Sequence, residues 1–447
     1  MIVLSTIITV LMGGSMFFIS RDKKLALMFI GCMTLSLLRM DIPLFNTANF
    51  FFVACFLMSE FENIKTMLMQ FVKKPVGLTI CIVLLSFIIC VVFSPHLDSI
   101  QNTWFFFRSE LLLKYFVLGY AFYSIRNEKN LRVLIRYSII PMYILTVFGV
   151  INLLEKHSSF VTEMMSNWDL NSMSESYALK GDRFVDSDRF RVQAMFWNPF
   201  DYGYICTLCL LMYIYGYTKK MIRKTRFSIL LLCCSFGILM CGARTVLFIS
   251  IIGVGIFILL SYKLGKAVTV GLVTILLFVM AYMTIPVMSE KVNEMASIFT
   301  DVSGQQVQGS NIDMRSVQFA TTLYYIQDSP AFGRGVNFFY IDMGWGTGEI
   351  IDHRLEGIEG VYLMYLLERG VVGYCLYLLV WIVMLVYLVG KKHENKTLSA
   401  FGVAVWAVYM IFAHMTGELS SVFPTLLIIG GIIGVLTPNP NCYGIKK

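Results

Sequence analysis

Charge is scarce in this chain. Of 447 residues only 14% are Asp, Glu, Lys or Arg, while 57% are hydrophobic and the mean hydropathy is +0.72. An ordinary globular protein carries roughly 25% charged residues, so the deficit excludes the three or so soluble domains that the length alone would allow. Histidine is rare as well. The five present, His96, His157, His353, His393 and His414, have no H-x-x-x-H or comparable ligand spacing, so no catalytic metal and no other cofactor is expected. A G-x-x-x-x-G-K-S/T loop is missing, which excludes a nucleotide-driven pump of that kind. Missing too are a paired-carboxylate motif for glycoside hydrolysis, an internal repeat and any low-complexity tract. No basic residue precedes the first apolar run, and Arg21, Lys23 and Lys24 follow it. This is the reverse of a cleavable signal peptide, so the segment is expected to stay, with its N-terminus outside.

What is present is apolar sequence in spans of membrane-crossing length. A spanning helix needs about 20 mostly apolar residues, and thirteen candidate stretches stand at 1–20, 25–38, 43–59, 77–95, 109–125, 133–153, 199–217, 227–242, 245–262, 267–286, 360–389, 398–415 and 421–437. The expected fold is therefore an all-α polytopic membrane protein. Ten of the eleven cysteines lie inside these runs and read as small hydrophobes; Cys206 and Cys209 form a C-x-x-C, but neither a βαβ pattern nor a further ligand pair surrounds it. The net charge of +8 does not point to nucleic acid, because Lys and Arg sit in short clusters between apolar runs and not on one basic face. Lipid headgroups are the expected counterions.

Threading the spans alternately from an outside N-terminus puts 22 of the 36 Lys and Arg residues in the short inside segments, as the positive-inside rule requires. The C-terminus then lies in the cytoplasm. Five regions follow: N-terminal spans over 1–153, an outer loop at 154–198, central spans over 199–286, a large outer loop with helical segments at 287–359, and C-terminal spans over 360–447. Loops of such length are usually functional or disordered. The second has helical periodicity from Met314 to Ile326, followed by a Gly-rich aromatic stretch with Phe338, Tyr340 and Trp345.

Arginine collects where this threading does not favour it, outside: Arg183, Arg189, Arg191, Arg244, Arg315, Arg334 and Arg354. A fixed planar cation with five donors suits a phosphate or diphosphate. Arg244 is the sharpest case, since an arginine opening a helix opposes the macrodipole and calls for an anion; the alternative is an arginine snorkelling to outer headgroups. Glu110 and Lys114, four apart, are expected to pair on one helix face. Glu368-Arg369-Gly370 is expected to mark a break between an outer helical segment and the span proper.

Four local patterns, in this order, resemble the O-antigen polymerases and O-antigen ligases of bacterial surface-polysaccharide assembly. They are Arg189-Phe190-Arg191 running to Asn198-Pro199; Gly242-Ala243-Arg244-Thr245; Arg315 followed by Asp328-Ser329-Pro330 and Gly333-Arg334-Gly335; and Glu359-Gly360-Val361-Tyr362-Leu363 running to Glu368-Arg369-Gly370 and Gly373. The likeness covers about 189–389. It departs at Glu359, where ligase-type members have histidine, and at Gly360, where asparagine is usual, which favours a polymerase; His353 lies six residues upstream as a substitute.

The resemblance implies a GT-C-like, metal-independent glycosyltransferase of the bacterial plasma membrane acting on undecaprenyl-diphosphate-linked glycans, with a chain-length regulator and a flippase as possible partners. It implies catalytic roles for Glu359, Arg315, Arg244 and His353, and substrate contacts for Arg191, Arg189, Asn198, Arg334, Tyr340 and Trp345. The residue types fit independently: arginines neutralise a leaving diphosphate without a metal, a carboxylate or imidazole takes the acceptor's proton, and aromatics stack on sugars. A transporter of lipid-linked oligosaccharides is the rival of a different class, but neither related halves nor spans broken near mid-depth stand out.

Overall fold

The computed structural model describes residues 2–35, 48–93, 107–166, 191–263, 312–344, 351–355, 357–358, 360–418 and 421–437, with isolated positions between 265 and 293. All described regular structure is helical. The helices are α1 (Ile2–Ser15), α2 (Arg21–Thr34), α3 (Ala48–Ser59), α4 (Ile64–Phe71), α5 (Val76–Phe93), a π-helical stretch Phe107–Tyr115 that leads into α6 (Phe116–Ser124), α7 (Glu128–Tyr137), α8 (Ile139–Glu155) and α9 (Ser159–Ser166). There follow α10 (Pro199–Thr218), α11 (Lys224–Met240), α12 (Arg244–Ser261), α13 (Ile312–Ile326), α14 (Phe338–Ile341), α15 (Val361–Gly390), α16 (Lys396–Thr416) and α17 (Val422–Leu436).

Every candidate span except 267–286 carries a described helix, and 267–286 lies almost wholly outside the described residues. Among the described residues, four helices are long and apolar enough to cross a membrane by themselves: Glu128–Glu155, Arg244–Ser261, Val361–His393 and Lys396–Thr416. A fifth is formed if Phe61–Phe71 and Val76–Cys90, bent by 86°, count as one span; several others are shorter apolar helices. Asparagine starts three of the helices. Asn127, Asn198 and Asn395 each accept a hydrogen bond from the backbone amide three residues on, satisfying a donor that the first turn leaves orphaned.

The helices pack through small residues, as spans must when lipid offers no hydrophobic driving force between them. A methyl on Gly434 of α17 would stand 2.1 Å from the Ile125 carbonyl oxygen beyond α6, and one on Gly253 of α12 would stand 2.5 Å from Val408 of α16. These two pairs draw α17 against α6 and α12 against α16.

Polar contacts gather at the two ends of the bundle. One end is rich in lysine: Arg21 and Lys24 bind Glu60 at 3.1 and 2.6 Å, Lys219 and Asn395 bind Glu128 at 3.0 and 2.9 Å, and Lys396 donates to the Tyr262 carbonyl at 3.1 Å. All these residues fall in segments that the threading assigns to one side. The opposite end holds Arg191, Arg244 and Arg315.

Candidate active site

At the arginine end, the backbone of 191–192 runs along the close of α11, where the Val192 amide donates to the Met240 carbonyl at 2.9 Å. Arg191 thereby lies over the turn that follows. Gly242 takes a φ of +62° there, and a methyl on it would come within 3.0 Å of Arg191 Cγ. Two residues later half-buried Arg244 opens α12. The first two sequence patterns, about fifty residues apart, thus form one structure.

α12 and α16 run antiparallel, because Gly253 faces Val408 while Tyr262 meets Lys396. Nine residues before Gly253 is Arg244; nine after Val408 is Gly417. The Arg244 turn is therefore level with the last turn of α16. Arg315 of α13 reaches the same turn and donates from Nη2 to the Met415 carbonyl at 2.9 Å. Gly360, which opens α15, packs there too: a methyl on it would stand 2.9 Å from the His414 carbonyl oxygen.

α15 is two helices joined at Gly370, whose φ of 63° and ψ of −168° are not helical, so the expected break is present. Its cause lies far away in sequence. The loop 330–335 fits into the break: the amides of Arg334 and Gly335 donate to the carbonyls of Leu367 and Glu368 at 2.9 and 2.8 Å, and the amides of Val371 and Val372 donate to Pro330 and Ala331, each at 3.0 Å. Both sets of groups left orphaned by the break are satisfied. The third and fourth patterns are thus locked together by backbone.

Beside this clasp, Arg334 turns back on its own loop, with Nε on the Tyr325 carbonyl at 2.5 Å and Nη2 on Asp328 at 3.3 Å. Asp352 is buried; it accepts from Arg354, whose Nη2 lies at 2.7 Å, and from the Tyr325 hydroxyl at 3.0 Å. The guanidinium of Arg354 is the main cause that pushes the Asp352 carboxyl down to about 2. His353 between them is exposed.

Some expectations change. Asn198 is a helix cap: its Oδ1 accepts from the Asp201 amide at 2.8 Å and its Nδ2 donates to the Asp201 carboxylate at 3.0 Å. Asparagine suits a cap before a first-turn proline. Lys114 is met by Glu418 at 2.5 Å. The side chain of Glu110, its expected partner four residues back, lies outside the described residues. Cys206 and Cys209 are buried in α10, and no metal-holding group of His, Cys, Asp and Glu exists among the described residues. Glu359, Arg189 and Trp345 lie outside the described residues, as does the side chain of Tyr340.

The sequence reading overlooked the group at the centre of this end, where half-buried His414 in the last turn of α16 has both ring nitrogens engaged. Nδ1 lies 2.7 Å from the Met410 carbonyl and Nε2 lies 3.0 Å from the Tyr374 hydroxyl. Tyr362 lies parallel to the imidazole. One turn on, Glu418 accepts from Tyr409 at 2.9 Å, and Tyr409 meets Tyr377 at 3.2 Å. An ionisable residue at the end of an apolar span was the available signal.

Residues 229–378 match the family model described as O-antigen ligase. About a third of the chain is thus similar to the O-antigen ligase family. The match begins within α11 and takes in the Arg244 turn, α13, the 330–335 loop and the break at Gly370. Arg191 and His414 lie outside it, although the fold joins both to it. No curated protein matches the chain.

Proposed function

We propose that the protein is a polysaccharide polymerase with a GT-C-like layout, which moves a growing glycan from its undecaprenyl diphosphate onto the non-reducing end of a new lipid-linked repeat. The arginine end is then the outer face of the plasma membrane, and the lysine end the cytoplasmic one. The observation that carries the reading is the meeting of arginines from three separated segments around the last turn of α16: Arg191 over the Gly242 turn, Arg244 level with Gly417, and Arg315 on Met415.

The chemistry follows from charge. When a sugar hydroxyl attacks the anomeric carbon of a glycosyl diphosphate, negative charge accumulates on the departing diphosphate. Preorganised guanidinium groups stabilise that charge most where water is excluded, so no metal is needed. Glu359 and His353 are the proton acceptors offered by the sequence, while Tyr340, Trp345, Arg189 and Arg334 are placed by the resemblance along the glycan. Glutamate at 359 in place of histidine favours the polymerase over the ligase, which would move the finished chain to a lipid A core or another acceptor.

A deletion strain tests the reading. Loss of a polymerase leaves single repeats on the surface and on the carrier lipid, whereas loss of a ligase leaves long chains on the carrier.

A further inference from the structure

The mouth at the end of α16 contains one ionisable side chain whose hydrogen bonds define where its basic electron pair points. The Met410 carbonyl can only accept, so the hydrogen of neutral His414 sits on Nδ1, 2.7 Å away. Its Nε2 must then accept from the Tyr374 hydroxyl, 3.0 Å away. Tyr374 is itself only half-buried. The result is a hydroxyl backed by an oriented imidazole, the arrangement by which a weak base is placed behind an exposed oxygen.

Its surroundings are those of the arginine site. The next residue, Met415, carries the Arg315 guanidinium; Gly360 packs on the His414 carbonyl; and the Tyr362 ring lies parallel to the imidazole, at 5° between planes. The geometry points to Tyr374 and His414 as the pair that takes the proton from the acceptor hydroxyl, a statement that rests on the glycosyl-transfer reading above. As the acceptor oxygen bonds to the anomeric carbon, the bond from that carbon to the diphosphate breaks and its electron pair leaves with the diphosphate. The acceptor's proton passes to Tyr374 Oη while Tyr374 gives its own to His414 Nε2. The imidazolium then releases that proton to water.

The test uses the full-length protein in proteoliposomes, supplied with the lipid-linked repeat extracted from cells deleted for this gene. His414→Gln and Tyr374→Phe should each lower turnover about a hundredfold, the usual share of a general base, with KM for the repeat nearly unchanged. Added imidazole should restore part of the turnover of His414→Ala, which a merely structural role would not allow. Turnover near the parent's in His414→Gln or in Tyr374→Phe overturns the pair, as does a slow His414→Ala that imidazole leaves unchanged. If the parent itself does not lengthen the repeat, the fault lies with the glycosyl-transfer reading and not with the pair.

Discussion

At the residue scale, what separates arginine from lysine here is shape. A guanidinium fixed by one hydrogen bond still presents a planar fork to an anion, whereas an ammonium is a point charge. Arg191→Lys, Arg244→Lys and Arg315→Lys should therefore each lower polymer synthesis about a hundredfold, near 3 kcal/mol at the transition state, while membrane insertion stays normal; unchanged chain length in all three would make these arginines headgroup anchors. Lys114 and Glu418 present a different case, since their side chains are only 21% and 15% exposed. Glu418→Leu takes a carboxylate away from a largely buried ammonium and should cost about 3 kcal/mol of stability, and adding Lys114→Met should recover most of it; thermal melting in detergent measures both. Asp352 gives a pH signature. Its folded carboxyl lies near 2 against an ordinary 3.8, so its contribution is full above pH 3.8 and is lost as pH falls through 2. The Arg354 amide, which donates to Asp352 at 3.0 Å, should keep its protection from hydrogen exchange from neutral pH to about pH 4 and lose it toward pH 2. The arginines were legible because they stand where apolar sequence ends. The Lys114 partner was not, being 304 residues away, and His414 was passed over because ligand spacing was the criterion applied to histidine.

At the element scale, the site depends on a helix broken so that a loop can occupy the break. Gly370 is held at a φ of 63°, and a methyl there would lie 2.4 Å from the Ala331 backbone. Gly370→Ala meets both backbone strain and a clash with main chain that cannot move without losing four hydrogen bonds, and should destabilise by about 3 kcal/mol or more. Gly357 shares the positive φ, at +65°, but has open space around it, so Gly357→Ala should cost only about 1 kcal/mol. Melting temperatures of the two variants decide this, and equal shifts would mean that the clasp adds nothing. The sequence marked this break through Glu368-Arg369-Gly370, because an isolated glycine between charged and apolar runs interrupts helical periodicity. It could not name the filling strand of chain, since backbone hydrogen bonds between 330–335 and 367–372 leave no trace in side-chain pattern. Helix ends were legible for the opposite reason: Asn-capped starts and apolar length are local properties.

At the scale of the whole molecule, one end gathers lysines and arginines around Glu60 and Glu128, and the other brings Arg315 onto the end of α16. The proposed orientation places 154–198 and 287–359 outside and Cys442 in the cytoplasm. Ser310→Cys should react with an impermeant maleimide in intact cells, whereas Cys442 should react only after permeabilisation; the reverse pattern would invert the protein. Composition and charge made the membrane class and the ordering of spans readable, because both are sums over many residues. The joining of the first two patterns at the Gly242 turn and of the last two at the Gly370 break is a property of packing alone. The most direct measurement of the central claim is the product formed when the purified protein, in proteoliposomes with a metal chelator, meets the lipid-linked repeat alone. The account predicts a ladder of longer glycans still joined to undecaprenyl diphosphate, undiminished by the chelator; single repeats that lengthen only with added metal, or that leave the carrier only when a lipid A core is supplied, would contradict it.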